Sequence, residues 1–174
     1  MNLSSNDFEL FGFQPQYRIE RAELDVRWKR LAAQVHPDRH LNGGAAAQSQ
    51  AMQWALRVNE AYRRLRDPLT RGAYLCEQRG APIQAESNTH MCLAFLGEQI
   101  AWREALDEAV EEAAIDGLQE QVKRRQQGLF ETVARELDDS GGSPARAAEA
   151  VRSLMFVARF FKDIERRRDA LFPI

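Results

Sequence analysis

Apolar residues recur at helical spacing along most of the chain, and no stretch alternates in the manner of a β-strand. A first stripe with spacing i, i+4, i+7 and i+11 predicts an amphipathic helix that ends near residue 35: Leu24, Trp28, Leu31 and Val35. A second stripe of similar spacing predicts an antiparallel partner helix: Ala51, Ala55, Val58, Tyr62 and Leu65. Proline and glycine residues between the two stripes predict a loop over residues 37–47.

Two further elements are predicted around this hairpin from turn and cap residues. Asp67 followed by Pro68 is typical of an N-cap and a first helical residue, so we expect a short helix from there to about Arg79. Gly80 is expected to cap that helix at its C-terminus. We also expect a short helix near Gln14–Tyr17.

The second half of the chain, beyond Gly80-Ala81-Pro82, shows three longer helical patterns. They predict helices over residues 89–114 and 117–137, and a third that begins at the Ser143-Pro144 cap and ends near Leu171. Short connections between them favour antiparallel neighbours. The sequence therefore predicts an all-α chain with an N-terminal domain (1–79), a linker (80–88) and a C-terminal three-helix bundle (89–174).

Composition narrows the class of protein. The chain has 174 residues, of which 44% are hydrophobic and 29% charged, as is typical of a soluble globular protein. A net charge of −2 argues against a wholly basic nucleic-acid binder. No apolar run reaches the roughly 18–20 residues that span a bilayer, and no signal peptide is visible, so we expect a cytoplasmic protein without a membrane partner.

The cysteines and the charge distribution add two interpretations. Cys76 and Cys92 match no zinc-finger or disulfide pattern, and we interpret them as small buried apolar residues. Residues 1–79 contain 12 Lys/Arg and 9 Asp/Glu, whereas residues 80–174 contain 12 and 17. This difference in sign fits either two surfaces for two partners or chance variation between solvated faces.

The candidate chemistry lies in the loop after the first stripe, which opens with His36-Pro37-Asp38. The partner helix contains Asn59-Glu60-Ala61-Tyr62 and ends at Asp67-Pro68, and Arg71 and Tyr74 follow. This pattern resembles a J-domain over residues 5–79. The resemblance implies a co-chaperone module that stimulates ATP hydrolysis by DnaK-type chaperones.

Proline restricts the residue before it, so His36 and Asp38 are expected to project from a rigid loop. In J-domains this loop and the basic face of the preceding helix dock on the chaperone, where such charges raise the encounter rate. The resemblance implies these chaperone-binding residues: His36, Pro37, Asp38, Arg27, Lys29, Arg30 and Arg39. Acidic residues interrupt the basic face, which disfavours a nucleic-acid site.

Three other interpretations of His36 are open from the residues alone. His36 and Asp38 match part of a catalytic dyad, although no nucleophile has a motif setting. Together with His40 they have the alternate spacing of a metal site, which would suit a small metal-dependent hydrolase, although no fourth ligand is apparent. His36 is otherwise an inert loop residue.

The second half extends the resemblance to nearly the whole chain. The segment AFLGEQIAWREALDE (94–108), the start FELFG (8–12) and the segment LTRGAYL (69–75) are similar to the HscB family, J-domain (type III) co-chaperones of iron–sulfur cluster assembly. The resemblance implies an L-shaped adaptor that binds an IscU-type scaffold protein, targets it to an HscA-like chaperone and promotes cluster transfer. It implies a monomer that is not an enzyme and holds no cofactor. A J-domain protein with another client is the alternative.

The helix of this segment carries two apolar stripes. One is suited to a bundle core: Phe95, Trp102, Leu106, Val110 and Ala113. The other comprises Leu93, Leu96 and Ile100 and runs on to Gly97 and Glu104. Periodicity alone allows this second stripe to be core or a docking surface.

The resemblance to the HscB family favours docking of the scaffold on the second stripe. The residues it implies are Leu96, Gly97, Ile100, Ala101, Arg103, Glu104 and Phe156. Gly97 and Ala101 depart from the family pattern, which has a large apolar and an acidic residue there. The contact is therefore expected to centre on Leu96, Ile100 and Phe156.

Overall fold

The computed structural model describes residues 5–38, 44–84 and 93–173 (Leu93 without its side chain), and these residues form seven α-helices and no strand. The helices are α1 (Asp7–Leu10), α2 (Arg21–Gln34), α3 (Gly44–Arg66), α4 (Pro68–Gln78), α5 (Leu93–Glu108), α6 (Glu112–Asp138) and α7 (Pro144–Leu171). The all-α prediction is confirmed. The chain divides into two compact units, Met1–Leu75 and Cys76–Ile174. The predicted bounds of domains and linker stay a prediction.

The first unit is built on the antiparallel pair α2 and α3. Its buried core includes Phe8 of α1 and six of the nine predicted stripe residues: Leu24, Leu31, Val35, Ala51, Val58 and Leu65. The other three, Trp28, Ala55 and Tyr62, are half-buried. Asp25 contacts Tyr62 and Trp28 contacts Asn59, which sets the antiparallel register of the two helices. Both predicted helices of the hairpin are thus confirmed.

Two local predictions in the first unit are wrong. The short helix lies at α1 and not near Gln14–Tyr17, because Asn6 and Glu9 form a reciprocal capping box that starts a helix at Asp7. The predicted loop over 37–47 ends before Gly44, because the alanines that follow have high helix propensity and extend α3 towards its N-terminus.

Both predicted caps of α4 are confirmed. The Asp67 carboxylate accepts a hydrogen bond from the Thr70 amide at 2.8 Å. Gly80 has a φ of +76°, which favours glycine, and its amide donates to the Glu77 carbonyl at 3.1 Å.

The second unit is a three-helix arrangement in which α6 and α7 pack along each other and α5 packs against both. Its core contains buried residues of α6 and α7: Leu118, Val122, Leu129, Val133, Val151, Leu154, Val157, Phe160 and Ile164. The Ser143 hydroxyl caps α7 as predicted, since it accepts from the Arg146 amide. None of the described helices is long and apolar enough to cross a membrane.

The predicted helix over 89–114 is wrong at its C-terminal end, and its predicted start at residue 89 lies outside the described residues. Helix α5 ends at Glu108 and α6 begins at Glu112, five residues before the predicted start. Arg167 of α7 donates to the carbonyl of Asp107 in the last turn of α5 and to that of Ala109 just beyond it, so a carbonyl that the helix end leaves unpaired is satisfied from another helix. Val110 and Ala113, both predicted as core, are exposed, Val110 at 72%.

Candidate functional site

The candidate chaperone loop follows α2 and presents two polar side chains to solvent. The side chains of His36 and Asp38 are 58% and 77% exposed, and Pro37 between them is half-buried. The Asp38 amide donates to Nδ1 of His36 at 3.3 Å, and the Asp38 carboxylate lies 3.5 Å from the same atom. The imidazole is therefore held by its own loop through Nδ1, and Nε2 makes no hydrogen bond to another described residue. Arg39 and His40 lie outside the described residues.

The predicted basic face of α2 divides into two kinds of residue. Lys29 and Arg30 are exposed, and neither pairs with another described residue. Arg27 is different, because its guanidinium donates to the carbonyls of Phe11 and Gly12 at 2.8 and 2.5 Å. Lys29 and Arg30 are thus available to a partner, whereas Arg27 joins α2 to the turn after α1.

The remaining contacts of Arg27 strengthen this structural role. Its guanidinium pairs with Glu23 at 2.5 Å and lies over the Phe13 ring at 4.1 Å. The sequence places Arg27 on the helix surface, but no sequence pattern shows that carbonyls of another segment lie within its reach. Its predicted chaperone contact stays a prediction.

The seam between α2 and α3 sets the position of the loop. The rings of Trp28 and Tyr62 stack at 4.4 Å, and the Trp28 indole donates to Asn59 at 3.0 Å. The Tyr62 hydroxyl donates to the Asp25 carboxylate at 2.8 Å, and this hydrogen bond, assisted by desolvation, raises the pKa of Tyr62. These contacts fix α2, and with it the loop at its end, against α3.

A buried carboxylate that sequence analysis did not identify anchors α1 to α3. Asp7 is fully buried, and its oxygens lie 2.7 Å from Arg57 and 2.8 Å from Arg64. Its amide donates to the Tyr74 hydroxyl at 3.0 Å. Its place in the first turn of α1 was the only available signal, and that position alone indicates helix capping, not a buried ion pair.

The second candidate surface lies on α5 of the other unit. The predicted core stripe is buried at Phe95, Trp102 and Leu106. Most of the second stripe is exposed, including Leu96 at 36% and Ile100 at 59%. Exposed residues around these two complete the face: Gly97, Ala101, Arg103 and Glu104. The structure therefore makes this face a surface of the described unit, and not part of its core.

Phe156 of α7 forms one flank of this face. It is half-buried, stacks on Phe160 at 6.0 Å and meets Phe95 edge to face at 5.8 Å. The Arg103 guanidinium lies 5.8 Å from the centre of the Phe156 ring. Phe156 thus links the predicted scaffold surface to the aromatic core, so its removal is expected to disturb both. On α5 itself, Glu98 pairs with Arg125 of α6 at 2.7 Å.

Comparison with known proteins decides the family. Residues 91–165 match the family model described as the HSCB C-terminal oligomerisation domain. The co-chaperone protein HscB homologue of Bordetella petrii is 43% identical over 168 residues, which cover 96% of this chain and 98% of the relative. The chain belongs to the HscB co-chaperone family.

Solved HscB structures share the fold. HscB from Vibrio cholerae has a TM-score of 0.80 at 29% identity, covering 97% of this chain and all of that one. Human HscB has a TM-score of 0.89 at 25% identity, covering 100% of this chain and 86% of that one. The predicted J-domain and three-helix architecture of an HscB-type co-chaperone is confirmed.

The remaining candidate groups of this HscB-family chain are metal ligands and the two cysteines. Among the described residues, no group of three or more His, Cys, Asp and Glu side chains is placed to hold a metal ion. Cys76 is fully buried as predicted, and burial raises the pKa of its thiol to about 11. Cys92 lies outside the described residues.

Proposed function

We propose that this chain brings an IscU-type iron–sulfur scaffold protein to an HscA-like, DnaK-type chaperone. It stimulates the ATPase of that chaperone and so promotes cluster transfer. The observation that carries the proposal is a pair of exposed surfaces, one on each compact unit, in a chain of the HscB family. Linking two binding sites in one chain raises the effective concentration of the scaffold at the chaperone.

The chaperone is bound through the first unit. His36 and Asp38 are exposed, and the hydrogen bond from the Asp38 backbone amide to Nδ1 of His36 restrains the loop before a partner arrives. Lys29 and Arg30 supply positive charge without a competing partner among the described residues. An acidic surface of the chaperone is the matching chemistry, because complementary charges raise the association rate and fix orientation.

The scaffold is bound through α5 of the second unit. Leu96 and Ile100 expose apolar surface, and Glu104 and Arg103 place charges at its edge. Apolar anchors inside a polar rim are the common arrangement of protein interfaces. In this proposal the chain is a cytoplasmic monomer that is not itself an enzyme and holds no cofactor, and the cluster is cargo of the scaffold.

The decisive experiment is steady-state ATP hydrolysis by the cognate chaperone, measured with this chain, with the scaffold and with both. We expect stimulation by the chain, and synergy when the scaffold is added. His36→Gln should abolish the stimulation and leave circular dichroism and scaffold binding unchanged, because the side chain is exposed and, among the described residues, contacts only Asp38 of its own loop.

The scaffold surface is tested with Leu96→Ser combined with Ile100→Ser, since both side chains are exposed and their removal spares the core. Val110→Ser is the matched control, because Val110 is 72% exposed and lies outside α5. The double variant should lose synergy and the control should keep it. Stimulation without any scaffold effect would indicate another client. No stimulation, together with stoichiometric metal in the purified chain, would instead favour the metal-dependent hydrolase.

A further inference from the structure

Helix α3 exposes two large apolar side chains one turn apart. Met52 is 53% exposed and Leu56 is 66% exposed. No core requirement explains them, because the buried positions of α3 lie on another face: Ala51, Val58, Ala61 and Leu65. Because they lie one turn apart, the two side chains form one small apolar patch and are not single scattered residues, which would need no explanation.

The seam contacts locate this pair on the outer side of the hairpin. Asn59 meets Trp28 across the seam. Around the axis of α3, Met52 and Leu56 are rotated by about 20° and 60° from Asn59, in the direction away from the core. On α2, Asp25 meets Tyr62 across the seam. Around the axis of α2, Lys29 is rotated by about 40° from Asp25, also in the direction away from the core. The apolar pair and Lys29 therefore border the same side of the seam.

The antiparallel register places the same pair beside the candidate chaperone loop. Counted from the Asp25–Tyr62 contact, His36 lies eleven residues later in the chain, just beyond the end of α2, and Met52 lies ten residues earlier on α3. At about 1.5 Å per residue, Met52 lies about 15 Å and His36 about 16.5 Å from that contact, at the same end of the hairpin. Leu56 is level with the last turns of α2.

We infer that Met52 and Leu56 extend the chaperone-binding surface from α2 onto α3 and bind an apolar patch of the DnaK-type chaperone. The inference rests on the proposed function. Continuity with His36 and Lys29 identifies the occupant as the chaperone, because a partner that contacts both would cover the apolar pair. The chaperone surface should then combine an acidic region opposite Lys29 with apolar side chains opposite Met52 and Leu56.

The test is the concentration of the full chain that gives half-maximal stimulation of the purified HscA-like chaperone. Met52→Gln combined with Leu56→Gln should raise this concentration about tenfold, because two apolar anchors are lost. The maximal stimulation should remain, since His36 is untouched. The salt dependence should also remain, whereas Lys29→Gln should reduce it.

Controls separate apolar contact from general damage. The exchange Met52→Leu with Leu56→Met keeps the apolar character and should behave as wild type, and Val110→Gln should also leave the half-maximal concentration unchanged. Wild-type behaviour of the double glutamine variant, or an equal loss in the Met/Leu exchange, overturns the inference. So does a wild-type dimer that this variant converts to monomer, because a second copy would then cover the patch. If the wild-type chain does not stimulate the chaperone at all, the proposed function itself fails.

Discussion

Replacement of Asp7 by asparagine is expected to destabilise the first unit strongly. The substitution keeps the size of the side chain and removes a charge that is fully buried between Arg57 at 2.7 Å and Arg64 at 2.8 Å. Breaking a buried ion pair costs about 3–5 kcal/mol when the remaining charge has no solvent or other partner. Here the arginine side chains are 20% and 33% exposed, and Arg64 keeps Glu60 at 2.7 Å. We therefore expect a loss of about 2–3 kcal/mol.

Urea unfolding followed by tryptophan fluorescence measures this loss. Trp28 and Trp54 lie in the first unit and Trp102 in the second, so a Trp102→Phe background reports the first unit alone. The expected loss corresponds to a fall of about 1–2 M in the urea midpoint. If the slope of the unfolding free energy against urea concentration is unchanged, the native and unfolded states have kept their compactness.

Glu60→Gln is the matched control, because it removes the other carboxylate that contacts Arg64 but is 64% exposed. An exposed pair of this kind contributes at most about 0.5 kcal/mol. A loss below about 1 kcal/mol for Asp7→Asn, or equal losses for Asp7→Asn and Glu60→Gln, would contradict the conclusion that the buried carboxylate anchors α1.

Three further predictions concern the second unit. Gly97→Ala should raise the free energy of unfolding by about 0.5–1 kcal/mol, because a Cβ there meets nothing within 4 Å. Gly142→Ala should lower it, because its Cβ would collide with the Glu136 carbonyl oxygen. Urea unfolding followed through the fluorescence of Trp102, the tryptophan of the second unit, measures both changes. Hydrogen bonding to Arg146 and to a backbone amide lowers the pKa of Glu136, so its stabilisation is present above the ordinary value of 4.5 and is lost as the pH falls below it. A pH series of urea midpoints should show this loss, and Glu136→Gln should reduce it. Cys76, with a pKa of about 11, should resist alkylation at pH 8 until the chain is unfolded, in a variant whose other cysteine is serine.

The elements predicted correctly are those whose signals are local. The stripe from Leu24 to Val35 defines α2, and Ser143 and Asp67 begin α7 and α4 as N-caps. Each signal depends on residues within a few turns of the same helix, so the sequence suffices. The loop at His36 was located in the same way, because it follows directly where the stripe ends. At the misplaced end of α5 the contacts are distant in sequence, since Arg167 of α7 binds the carbonyls of Asp107 and Ala109.

The sequence by itself determined the all-α class, the caps of α4 and α7 and the resemblance to the HscB family, because periodicity, caps and motifs are properties of neighbouring residues. Only the tertiary structure decided which charged and apolar side chains are exposed and can contact a partner. In the sequence, Arg27 and Lys29 are both basic residues of the same predicted helix. In the structure, Arg27 donates to carbonyls beside α1, whereas Lys29 is exposed. The second stripe at Ile100 was equally compatible with core or surface, and packing of α5 against α6 and α7 left it exposed. Availability depends on what distant segments cover, and a sequence pattern carries no record of that contact.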